Sequence, residues 1–122
     1  MSEDLVGFIE DLRKLSAETE WVEFKTNDQS PEKIGEYLSA LSNSACLHQK
    51  QEAYLVFGIE NQTHKVLGTT FDPYTTKGKG AEDLLPWLHR LLSPAIEFSI
   101  KEINYPEGRI VIFLSSRLFL DQ

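Results

Sequence analysis

The chain of 122 residues has a single cysteine, Cys46, which excludes a disulfide framework and suits a reducing cytoplasm. Three scattered histidines beside that one cysteine make no structural zinc set. No stretch of 18 residues avoids charge, so the sequence offers no membrane span. Its first residues, MSEDLVGF, lack a basic n-region and carry acids, which argues against a secretory signal peptide. Basic residues are also scarce. Lysine and arginine number 12 against 19 acids, a formal charge of -7. Because phosphate neutralisation drives nucleic-acid affinity, that balance counts against a polyanion partner unless the acids are segregated. They are. Residues 1–30 hold 8 acids and 3 bases, whereas residues 31–80 hold 5 of each.

Hydrophobic residues at 41% and charged residues at 25% describe a soluble globular domain, and the length fits one. Leu5, Phe8, Ile9, Leu12 and Leu15 share one helical face, predicting a helix over about 3–15 with Ser2 as its cap. Trp21 to Phe24 form a short strand in which Glu23 and Lys25 share a face while Phe24 enters the core. Ser30-Pro31 opens a second helix, carried by Ile34, Tyr37, Leu38, Leu41 and Ala45. Residues 53–59 read as a buried strand and 65–68 as its hairpin partner. The segment 69–80 is loop-like with few core residues. Leu84, Leu85, Leu88, Leu91 and Leu92 mark a third helix, with Pro86 in its first turn and Trp87 in the core. Two strands follow, joined at "YPEG", the last apolar enough to be central. The order is α-β-α-β-β-α-β-β, an α+β domain with a mixed sheet and helices packed against it. One domain is expected over 1–122, with a core from about 3 to 115 and a tail at 116–122 that begins a downstream region.

Four segments recur together: "ETEWVEFK" at 18–25, "YLSALSNSA" at 37–45, "YLVFGIEN" at 54–61 and "KVLG" at 65–68. In this order they resemble the Schlafen AlbA-type domain, over about residues 14 to 115. The resemblance implies a DNA-binding module of bacterial transcriptional regulators, a family that has also carried a divergent-AAA or ATP-binding label. In nuclease-active relatives, two glutamates and a downstream aspartate form a metal-dependent ribonuclease site, served by Mg2+ or Mn2+. The glutamates match Glu18 and Glu23, while the aspartate position holds Asn61. Asparagine removes one negative charge from a site that needs hard anionic oxygens. Relatives also carry a Gly-Gly after the second helix, where this chain has "ACLHQKQEA".

For nucleic acid the candidate contacts are Lys25, Tyr74, Lys77 and Lys79. Lys77 and Lys79 alternate with glycines in "TTKGKG", which lets backbone approach phosphate. The segment lacks the spacing and Lys-Ser/Thr ending of a Walker loop. Tyr74 is a base-stacking candidate, and DNA is the expected partner ahead of RNA. Two further readings stand beside this one. The first is a metal-dependent ribonuclease using Glu18 and Glu23. The second is a non-catalytic module that forms a homodimer through an exposed strand.

Overall fold

The computed structural model describes residues 4–15, 20–27 and 30–118. Its elements are α1 (Leu5–Arg13), β1 (Val22–Lys25), α2 (Pro31–Leu47), β2 (Ala53–Phe57), α3 (Leu84–Leu92), β3 (Ile96–Tyr105) and β4 (Gly108–Arg117). The sheet runs β1-β2-β4-β3, with β1 and β2 parallel and the other neighbours antiparallel. This is the expected α+β order, with its fifth element reduced to one bridge between Ile59 and Val66. The hairpin arm stays that short because β4 pairs with the full length of β2.

Alternation along the strands separates two cores. Ala53, Leu55, Phe57, Val111 and Phe113 point to α2 and α3, where Ile34, Leu38, Leu41, Leu84 and Leu88 meet them. Val22, Phe24, Val56, Ile110 and Ile112 point to the opposite face, where Ile9 and Leu12 of α1 pack. β2 and β4 are therefore buried on both sides, and their near-continuous apolar sequences follow from that. Trp87 belongs to the α2/α3 core, as expected.

The segment before α3 departs from expectation. Phe71 is fully buried, its ring 4.6 Å from Phe57 and 6.2 Å from Phe113. Such a side chain contributes about 1.5–3 kcal/mol by leaving water. The loop is thus anchored through the core, and the Arg109 guanidinium adds a bond to the Phe71 carbonyl.

Local signals explain the helix ends. Asp4 caps α1 by accepting from the Gly7 amide at 2.9 Å, the role expected of Ser2, which lies outside the described residues. Ser30 holds the N-cap position of α2 with Pro31 next, although its hydroxyl does not cap the helix amides. At the other end of α2, Gln49 takes a left-handed φ of 61°. Its amide bonds the Cys46 carbonyl and the Lys50 amide bonds that of Ala45, a Schellman closure without glycine. β4 continues through Ser116 and Arg117, which pair with Glu97 and Ile96, two residues beyond the expected limit of the core. Residues 119–122 of the expected tail lie outside the described residues. No helix among the described residues is long and apolar enough to cross a membrane.

Candidate functional site

On β1 the alternation sets Glu23 and Lys25 on the α2 side of the sheet and Phe24 beneath α1. Lys25 Nζ lies 3.5 Å from Glu23 Oε2 and 4.7 Å from the centre of the Tyr37 ring, on α2. Tyr37 first, and Glu23 second, hold the ammonium above its ordinary pKa against the opposing effect of partial burial. Lys25 is therefore a charged, half-buried group already engaged on two sides. After β1, Asn27 Oδ1 accepts from Thr69 Oγ1 at 2.7 Å and from the Thr70 amide at 2.9 Å. That clamp fixes the start of the loop leading to α3.

Of the acidic constellation, only Glu23 and Asn61 lie among the described residues. Glu18 lies outside the described residues. Asn61 is exposed in a turn beyond β2, and Glu60 beside it caps that turn, its carboxylate accepting from the Gln62 amide at 2.8 Å. Among the described residues no three His, Cys, Asp or Glu side chains gather as a metal would require. Among the described residues, Glu23 engaged with Lys25, Glu60 committed to the turn and a neutral Asn61 do not by themselves make the hard, anionic donor set of Mg2+ or Mn2+.

The loop lysines are each paired with an acid. Lys77 Nζ is 2.7 Å from Asp83 Oδ1, and Lys79 Nζ is 2.7 Å from Glu32 Oε2. The glycine between them serves packing, since a Cβ on Gly78 would meet the Trp87 Cβ at 2.9 Å. The backbone there lies against a core tryptophan, which accounts for glycine without any phosphate. Tyr74 is exposed, and its amide bonds Asp72 Oδ1 at 3.0 Å.

A different cationic cluster forms where α2 ends. Lys50 Nζ sits 4.9 Å from the Trp21 ring, and His48 lies 5.5 Å from the same ring. Beside them Ser42, Cys46, Gln49, Lys50, Gln51 and Arg117 line an open cleft of about 430 Å³. Arg117 donates to Asn43 Oδ1 at 2.6 Å, and Ser42 and Ser115 share a buried 2.7 Å hydrogen bond beneath. Sequence reasoning missed this cluster because its members come from α2, the turn after it and the end of β4. Only the strand order brings them together.

The model of the family described as Schlafen, AlbA_2 matches residues 18–117. The chain belongs to the Schlafen AlbA_2 family. The matched span begins at Glu18 and ends with β4, so it takes in the whole sheet, α2 and α3, and leaves α1 outside. No curated protein sequence matches the chain.

Proposed function

We propose that this Schlafen AlbA_2 domain binds nucleic acid, DNA in preference to RNA, as the recognition module of a bacterial transcriptional regulator. The family match across the whole sheet carries the reading. The local balance of charge supports it, because the acid excess lies in the first 30 residues and the remainder is close to neutral. Binding without cleavage is the chemistry these residues favour. Asn61 supplies no charge, and the Glu23 carboxylate has Lys25 beside it.

The test is equilibrium binding of single-stranded DNA, single-stranded RNA and duplex DNA over a range of salt. The expected outcome is affinity that falls linearly in log-log form as salt rises, with DNA bound more tightly than RNA. Loss of every complex even at low salt would overturn the reading. Dimerisation would then take its place, because among the described residues β1 and β3 each have only one neighbour in the sheet and offer an open edge.

A further inference from the structure

At least half of the chain's twelve lysines and arginines are offset by a carboxylate. Arg13, Lys25, Lys77, Lys79, Arg90 and Arg109 all have an acid within ion-pair distance. Of the cations with no such ion pair, Lys50 and Arg117 line the same cleft. Among the described residues, Lys50 meets only the face of Trp21, and Arg117 only the neutral amide oxygen of Asn43. The cleft's remaining walls are the uncharged Ser42, Cys46, Gln49 and Gln51. In a chain of charge -7, two unneutralised cations beside amide and hydroxyl groups form a local site for an anion.

The geometry points to this cleft as the seat of a nucleic-acid backbone phosphate, held between Lys50 and Arg117 with the glutamine amides around it. The inference rests on the nucleic-acid reading and names its site, which is not the loop at 74–80. Two effects oppose it. The C-terminal end of α2 carries partial negative charge, but its last carbonyls are already bonded by the His48, Gln49 and Lys50 amides. Glu20 also lies near by, 3.9 Å from His48 Nε2, though neither residue lines the cleft. Charge-assisted bonds from an ammonium and a guanidinium exceed the dipole effect of a capped helix end. A phosphate also draws Lys50 away from the indole, so Trp21 reports on occupancy, while Trp87 is buried in the core.

The experiment uses the full chain, a ten-nucleotide oligothymidylate as probe, and inorganic phosphate as competitor. It compares the parent with the pairs Lys50→Gln/Arg117→Gln and Lys77→Gln/Lys79→Gln, all exposed positions whose melting temperatures check folding. The expected result is a change in tryptophan emission on binding and loss of about 1.4 from the salt slope in the cleft pair, about 0.7 for each single-strand phosphate contact. The loop pair keeps the parent's slope. A parent that binds while the cleft pair matches it in affinity and slope overturns this site and leaves the nucleic-acid reading standing. Inorganic phosphate binding as tightly as the oligonucleotide reduces the cleft to a simple anion site and overturns the inference. No binding by the parent overturns both.

Discussion

At the scale of single residues, Gln49 is where local chemistry and fold disagree. The turn from α2 to β2 needs a left-handed residue, and an L side chain there costs about 1–2 kcal/mol. The turn forms regardless, because its amides satisfy the last carbonyls of α2 and β2 must return beside β1. Glycine would remove the strain but lose more entropy on folding, a cost of about 0.5–1 kcal/mol. Gln49→Gly is therefore expected to stabilise the domain by about 0.5–1 kcal/mol, which moves the melting temperature by a few degrees. Gln49→Ala, which keeps a Cβ, is expected to give no such gain. Chemical denaturation of the three proteins checks both statements, and equal stability of the glycine and alanine variants would refute the strain argument.

At the scale of elements, the helices and the outer strands follow from periodicity, caps and turn residues. Ile34, Leu38 and Leu41 fall on one face as spaced, and Pro86 sits in the first turn of α3, where its missing amide proton costs nothing. The segment 65–68 was less legible. Its β-prone residues fit a hairpin arm, but that judgement is local, whereas pairing of β2 with β4 is decided by residues far along the chain. Phe71 was hidden for the same reason, since two aromatics, Phe71 and Tyr74, among threonines and glycines set no period. Of the candidate site, the alternation of Glu23 and Lys25 was readable from their spacing of two. The partners of Lys77 and Lys79 were not, because Asp83 and Glu32 approach only in the folded chain.

The docking of α1 also belongs to this scale. Glu10 joins Arg13 at 2.7 Å and receives the Tyr105 hydroxyl at 2.9 Å, which ties the helix to the end of β3. Arg13, and then Tyr105, hold the Glu10 carboxyl below its ordinary value of 4.5. Since the folded pKa is the lower one, this stabilisation is complete above the ordinary value and is lost as pH falls through the depressed one. Burial, and then Glu10, push the Tyr105 phenol up to about 12. Its contribution is therefore complete below its ordinary value of 10.0 and is lost as pH rises through the folded value. Melting temperatures of the parent and Glu10→Gln are expected to differ at neutral pH and to converge in acid. A gap that stays constant down to the lowest pH would show that Glu10 acts other than through its charge.

At the scale of the whole molecule, the two faces of the sheet are covered unequally. α2 and α3 together give the sheet a core that includes Leu38, Leu88, Phe57, Phe71 and Phe113. α1 has 9 residues and fully buries only Ile9 and Leu12. A helix of that length is not stable alone, since isolated helices need about 12–15 residues to be even marginal in water. Its persistence depends on those two side chains, on the Glu10 and Tyr105 link, and on the bond from Arg13 Nε to the His64 carbonyl at 2.7 Å. The central strands have no such weakness, because each is paired on both edges and packed on both faces. Opening should therefore be graded across the molecule. Native-state hydrogen exchange is expected to show the α1 amides exchanging through local opening, well before those of β2 and β4, which exchange only with global unfolding. Arg13→Ala removes both the ion pair and the carbonyl bond. It is expected to speed exchange in α1 by about tenfold, the equivalent of roughly 1.4 kcal/mol, while changing β2 and β4 far less. Uniform acceleration across all elements would mean that α1 and the sheet open as one unit, and the graded picture would fall.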